Sequence, residues 1–196
     1  MLKIGFFGLS HLGICYSAAF ASKKFNVIAF DNDNSKIKKL KKNVINIYEK
    51  NLKKILISKF INFLSDISDL NKCDFIFFSK DVNTNKKNIS DFEELRKELE
   101  NLDKIIDKKI PFIILSQVYP GFSRSLKFKR KLYYQVETLI FGKAIERAMY
   151  PERIIIGKKN KHEKLNYKLK NVFKKFTNKL LQMNYESAEL SKISIN

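Results

Sequence analysis

The chain has 196 residues, of which 44% are hydrophobic, and its 39 Lys and Arg outnumber 20 Asp and Glu to give a formal net charge of +19. This length allows one full domain with an extension, but it excludes a large multidomain body. No apolar run approaches the roughly 20 residues that cross a bilayer, and the start of the chain has no cleavable signal layout. We therefore expect a cytoplasmic protein without a membrane partner.

The excess of positive charge raises the question of a nucleic-acid partner, since clustered Lys and Arg displace counterions from phosphates. The lysines are instead spread along almost every helical segment, without the interleaved Arg, Gly and aromatic residues of a nucleic-acid surface. This distribution favours a solvated Lys-rich surface. We do not expect nucleic acid to be a partner.

Short apolar runs alternate with longer segments of helical period, a pattern typical of α/β proteins. The predicted strands are 3–7, 26–30, 61–64, 74–79, 111–116, 132–135 and 153–156. The predicted helices are 11–22, 35–42, 48–57 and 90–106. The pattern predicts a Rossmann-like, doubly wound and mainly parallel sheet.

From Lys164 onward the pattern becomes helical, with no further strand predicted. Apolar residues form one stripe through this segment: Leu165, Leu169, Val172, Phe173, Phe176 and Leu180. We expect a Rossmann-like domain over residues 1–160 and a helical extension over residues 161–196.

The first strand runs directly into a glycine-containing loop and then into a helix, which is the context of a dinucleotide fingerprint. Gly8 would permit the tight turn, and Gly13 would allow helix and strand to approach closely. Ser10 stands where a second glycine is usual. The helix start, at His11 and Leu12, would offer backbone N–H groups to a pyrophosphate.

An acidic residue ends the second strand, as this class of site requires. Asp31 lies 18 residues after Gly13, where a carboxylate accepts hydrogen bonds from the adenosine ribose. Its charge would repel a 2′-phosphate, so the sequence favours NAD over NADP. The alternative is a Rossmann-like domain whose glycine loop is only structural or binds another nucleotide.

The thiols and imidazoles do not suggest a disulfide or a metal cluster. Cys15 and Cys73 are the only cysteines, and both are expected to be buried. His11 and His162 are far apart, and we find no acidic or thiol partner for either at ligand spacing. The sequence therefore predicts no metal site.

Several further segments, taken in order along the chain, resemble the nucleotide-sugar 6-dehydrogenases, the family of UDP-glucose and GDP-mannose dehydrogenases. Besides the glycine loop and Asp31, these are residues 81–84 (DVNT), 115–122 (LSQVYPGF), 134–138 (YQVET), 141–146 (FGKAIE), 151–157 (PERIIIG) and 185–192 (YESAELSK). The resemblance extends over essentially the whole chain. It implies a Rossmann-like fold with NAD as cofactor and a nucleotide sugar as substrate.

In such enzymes NAD takes a hydride from carbon 6 of the sugar. A cysteine thiolate captures the aldehyde, and a second oxidation and hydrolysis give the uronic acid. The resemblance implies that Glu137 acts in acid-base chemistry and that Lys192 stabilises oxyanion charge, with the Asn196 amide as its partner. It also implies cofactor contacts from Lys36, Thr84, Ser116 and Gln117 in addition to the glycine loop.

The sequence departs from the family at several positions. Residues that are common in the family are replaced at three positions, by Gln117, Tyr119 and Phe141. The 196-residue chain also stops at Asn196, before the expected catalytic cysteine and the UDP-binding domain. We expect the NAD-binding half of the enzyme, which either needs a second polypeptide with the missing region or is a truncated gene product. The alternative is a non-catalytic nucleotide-binding or interaction remnant. The final apolar stripe would normally pack in the core of a homodimer, but the sequence leaves the oligomeric state open.

Overall fold

The structure, a computed structural model, describes residues 2–84 and 90–195, so Asn196 lies outside the described residues. Within these ranges there are eight strands: β1 Lys3–Phe7, β2 Asn26–Phe30, β3 Ile61–Leu64, β4 Phe75–Phe78, β5 Phe112–Ile114, β6 Leu132–Val136, β7 Ile154–Lys158 and β8 Leu180–Asn184. The helices of the same ranges are α1 His11–Ser22, α2 Asn34–Lys41, α3 Leu52–Leu56, α4 Phe92–Ile105, α5 Phe122–Ser125, α6 Ala144–Met149, α7 Tyr167–Lys174 and α8 Tyr185–Ile195. A 3-10 helix spans Ile67–Lys72.

The described strands form one sheet in the order β3-β2-β1-β4-β5-β6-β7-β8. All neighbouring strands are parallel except β6 and β7, which are antiparallel. The order reverses direction between β1 and β4, which is the topological switch point of a doubly wound fold. The predicted Rossmann-like, mainly parallel fold is confirmed.

Helices cover both faces of the sheet, because successive side chains of a strand point to opposite sides. Phe6 packs on one face, where it stacks on Phe77 at 5.1 Å between ring centroids, and Phe7 stacks on Phe78 on the other face at 5.3 Å. The first face is covered by α1, α2, α3, α6 and α7, and the second by α4, α5 and α8. Burying each phenylalanine stabilises the fold by about 1.5–3 kcal/mol.

The region after Lys164 differs from the prediction. A strand, β8, forms at Leu180–Asn184 between α7 and α8, and it pairs with β7 along its whole length. The expectation of helices without strands is therefore wrong, and the sheet continues across the predicted domain boundary. The division at residue 160 stays a prediction.

The predicted helix 48–57 forms only as α3, because Asn51 adopts a left-handed conformation with a φ of +66° immediately before it.

Among the helices of the described ranges, none has both the length and the apolar content that a membrane crossing requires.

Candidate functional site

The carboxyl ends of β1, β4, β5 and β6 meet at one edge of the sheet, next to the switch point. A cleft of about 460 Å³ lies at this edge. A second cavity of about 500 Å³ extends from the glycine loop toward the end of β2. Ligands of doubly wound sheets bind at this position.

The glycine loop after β1 requires glycine at two positions. Gly8 has a φ of +94°, and a Cβ there would lie 2.8 Å from the backbone nitrogen of Lys80. A Cβ on Gly13 would lie 1.9 Å from the carbonyl oxygen of Gly8. The absence of both side chains therefore allows α1 to start directly against the ends of β1 and β4.

Ser10, which replaces a usual glycine, directs its side chain away from the helix start. Its hydroxyl donates a hydrogen bond to the carbonyl oxygen of Ser79 at 3.1 Å. Among the described residues, no side chain caps the N-terminus of α1. The first N–H groups of α1, with the positive end of its dipole, are thus suited to a pyrophosphate.

Asp31 lies at the end of β2, beside the glycine loop, and is buried. Its carboxylate accepts hydrogen bonds from the Leu9 N–H at 2.7 Å, the Asp33 N–H at 2.9 Å and Lys36 Nζ at 2.9 Å. Burial alone would raise the pKa of Asp31, but these three hydrogen bonds and the Lys36 charge hold that pKa below its ordinary value. An ionised carboxylate therefore faces the second cavity.

The structure brings most of the predicted cofactor residues to these two cavities. The second cavity is lined by Gly8, Ser10, Asp31 and Lys36. The main cleft is lined by His11, Leu12, Ser116 and Gln117. The Ser116 hydroxyl donates to the carbonyl oxygen of Lys80 at 2.5 Å and so ties β5 to β4.

Two of the predicted cofactor residues, Gly13 and Thr84, line neither cavity. Gly13 lies against the Gly8 carbonyl oxygen. Thr84 is exposed and forms an isolated antiparallel bridge with Ser90. Its neighbour Asn83 lines the second cavity, but Thr84 does not line either cavity. Its predicted cofactor contact stays a prediction.

The two predicted catalytic residues within the described ranges form an ion pair, of which Glu137 lines the cleft. Lys192 Nζ, on α8, lies 2.5 Å from Oε1 of Glu137, which follows β6. The Lys192 side chain is 4% exposed and that of Glu137 is 14% exposed. The other Glu137 oxygen accepts a hydrogen bond from the Leu139 N–H at 2.8 Å, so both side chains are held in position.

Two buried glutamates that sequence reasoning missed position the segments around the cleft. Glu189, on α8, accepts hydrogen bonds from the N–H groups of Gly121 at 2.5 Å and Ser123 at 2.8 Å. Glu49 accepts from the N–H groups of Gly142 at 2.8 Å and Ala144 at 2.9 Å. Nothing in the local pattern distinguishes these glutamates from the many exposed ones.

Both thiols are buried, as expected. Burial, together with the nearby charges of Glu49 for Cys15 and of Asp74 for Cys73, raises the pKa of each thiol to about 12. Neither is a ready nucleophile at neutral pH. The prediction that His11 has no thiol or acidic partner at ligand spacing is wrong. His11 Nε2 lies 3.7 Å from Cys15 Sγ and 2.9 Å from Glu49 Oε1.

Comparisons with a family model and with individual proteins point to the same family of dehydrogenases. Residues 2–177 match the model of the UDP-glucose/GDP-mannose dehydrogenase family, NAD binding domain. A UDP-glucose 6-dehydrogenase from Rickettsia typhi is 28% identical over 173 residues, which are 81% of this chain and 39% of that protein.

Solved structures share the fold. A GDP-mannose dehydrogenase from Pseudomonas aeruginosa has a TM-score of 0.86 at 17% identity, covering 98% of this chain and 49% of that one. A UDP-glucose dehydrogenase from Pyrobaculum islandicum has a TM-score of 0.86 at 22% identity, covering 99% and 49%. The chain thus spans half or less of the length of these proteins.

Proposed function

Since the chain belongs to the UDP-glucose/GDP-mannose dehydrogenase family and carries its NAD binding domain, we propose that it supplies the NAD-binding half of a nucleotide-sugar 6-dehydrogenase. The proposed reaction is oxidation of the C6 hydroxyl of a sugar of the UDP-glucose type to the acid, in the cytoplasm. The observation that carries the proposal is Glu137, which lines the same cleft as His11 and Leu12 of the dinucleotide loop and is ion-paired with Lys192.

The residues of the two cavities fit the cofactor. In this proposal the N–H groups at the start of α1 bind the pyrophosphate, and Asp31 accepts from the adenosine ribose. Three hydrogen-bond donors already engage the Asp31 carboxylate. Because a carboxylate offers about four acceptor positions, one remains for a ribose hydroxyl. When bound, NAD supplies the hydride acceptor.

Glu137 and Lys192 have complementary roles in this proposal. Glu137 receives a proton from the reacting hydroxyl or from a hydrolytic water, because it is a partly buried carboxylate that lines the cleft. The Lys192 ammonium stabilises the negative charge that develops on the sugar or acyl oxygen. The predicted role of Asn196 falls outside the described residues and stays a prediction.

The two thiols of this chain do not fill the role of the family's catalytic cysteine. Cys15 and Cys73 are buried in the NAD binding domain, and burial raises the pKa of each to about 12. We propose that the region beyond these 196 residues in the relatives supplies the thiolate and the sugar-nucleotide site, on this polypeptide or on a second one.

The test measures NADH and UDP-glucuronate formed from UDP-glucose and NAD. We expect no acid from the 196-residue chain alone, because capture of the aldehyde requires a positioned thiolate. Adding a polypeptide with the remaining half of a relative should give turnover. Lys192→Ala should then slow that turnover by roughly a hundredfold, the scale for loss of one oxyanion-stabilising group.

Lys175→Ala is the matched control, because Lys175 is exposed at the end of α7 and should leave turnover unchanged. Sustained acid formation by the 196-residue chain alone would contradict the division of roles. Binding of NAD without turnover in any combination would favour a non-catalytic nucleotide-binding module instead.

A further inference from the structure

A histidine, a cysteine and a glutamate meet beneath the start of α1. His11 and Cys15 are four residues apart on this helix, so their side chains lie on one face, one turn apart. Glu49 comes from the segment before α3. His11 Nε2 lies 2.9 Å from Glu49 Oε1 and 3.7 Å from Cys15 Sγ, and one ligand atom from each of the three residues lies within 4.8 Å of the others.

We propose that His11, Cys15 and Glu49 bind a divalent transition metal of the zinc class. A tetrahedral zinc places a thiolate sulfur and an imidazole nitrogen roughly 3.6 Å apart, and an imidazole nitrogen and a carboxylate oxygen roughly 3.4 Å apart. The Cys15–His11 distance already fits this geometry. The His11–Glu49 pair would have to separate by roughly 0.5 Å, as a direct hydrogen bond is replaced by a bridging cation.

The surroundings of the three side chains support such a site. The Glu49 side chain is 1% exposed and Cys15 is fully buried, whereas the His11 side chain is 20% exposed on the cleft side. The Gly142 and Ala144 N–H groups hold Glu49 in position. Three protein ligands with one open side are typical of a metal site that keeps an exchangeable fourth position.

Metal binding would also balance the charges of this cluster. Binding forms a sulfur–metal bond and releases the thiol proton of Cys15 to solvent, while His11 binds through Nε2 and keeps its proton on Nδ1. The two charges of the cation then compensate one thiolate and one carboxylate.

The test uses Co²⁺ as a spectroscopic probe on the untagged 196-residue chain. We expect one Co²⁺ per chain with a thiolate-to-cobalt charge-transfer absorption, which Zn²⁺ then displaces. Cys15→Ser should abolish that absorption. His11→Asn should weaken Co²⁺ binding by at least ~100-fold, because even outer-shell changes cost 10–100-fold.

Cys73→Ser and His162→Asn are the matched controls and should leave both the absorption and the affinity unchanged. Circular dichroism of each variant checks its fold. If Cys15→Ser does not fold, the partly exposed His11 position decides the question. Absence of the thiolate absorption, its survival in Cys15→Ser or unchanged Co²⁺ affinity in His11→Asn would overturn the proposal. No nucleotide is used, so the result does not depend on the proposed enzymatic function.

Discussion

Replacing Asp31 by alanine tests both the cofactor site and the contribution of the Asp31 hydrogen bonds to the stability of the fold. The substitution removes the acceptor of three hydrogen bonds, of which the one from Leu9 N at 2.7 Å is buried. An orphaned buried N–H costs about 1–3 kcal/mol. The Asp33 bond adds to this, and the half-exposed Lys36 contributes little. We expect the free energy of unfolding to fall by about 2–4 kcal/mol.

The same substitution should change nucleotide binding. Loss of one hydrogen bond to the ribose, at about 1.5 kcal/mol, corresponds to roughly tenfold weaker NAD binding. Loss of the negative charge should also reduce the preference for NAD over NADP, because the repulsion of a 2′-phosphate disappears. Urea unfolding and calorimetric titration with NAD and NADP measure the two effects.

Asp31→Asn separates the two effects, since its amide oxygen still accepts from Leu9 N but carries no charge. This variant should lose discrimination against NADP with a smaller loss of stability than Asp31→Ala. Equal affinity of the original chain for NAD and NADP would refute the assignment of Asp31 to the ribose. An unchanged free energy of unfolding in Asp31→Ala would show that the hydrogen bonds of Asp31 do not stabilise the fold.

Gly13→Ala should abolish NAD binding in a calorimetric titration and lower the urea midpoint, because its Cβ would lie 1.9 Å from the Gly8 carbonyl oxygen. An unchanged urea midpoint would contradict the packing of α1 on β1. The folded-state pKa of Asp31 is lowered, so its contribution to stability is complete above the unfolded pKa of about 3.9 and is lost as the pH falls through the folded pKa. The difference in unfolding free energy between the original chain and Asp31→Asn should therefore shrink below pH ~4, and a difference that grows there would reverse the assigned sign.

The central strands could be predicted from the sequence because their residues are suited to a buried parallel sheet. β4 is four consecutive buried residues, Phe75–Phe78, between polar neighbours. β8 could not be predicted in this way. Leu180–Asn184 has no β-branched or aromatic residue, is half-exposed at the sheet edge, and begins at Leu180, which continues the helical stripe of α7.

The candidate site was predictable where a residue belongs to a local motif, as Gly8, Gly13 and Asp31 do. The separate roles of Glu137 and Lys192 were inferred through the family resemblance alone, and their ion pair, which joins residues 55 positions apart in sequence, became visible only in the structure. The His11–Cys15 contact follows from their spacing of four residues on the predicted helix 11–22, and sequence reasoning overlooked it. The approach of Glu49 to both residues became visible only in the structure, because it arises from tertiary packing, which no local spacing records.

Helix α8 carries Glu189 and Lys192 on one face, three residues apart, and both side chains hold parts of the site in position. Glu189 holds the backbone of the segment 121–123, and Lys192 reaches Glu137. One residue of helical register corresponds to a rotation of roughly 100°. A turn of α8 by that amount would withdraw the ammonium and release the 121–123 segment in a single motion, so the rotational setting of this helix governs both the charge and the shape of the cleft.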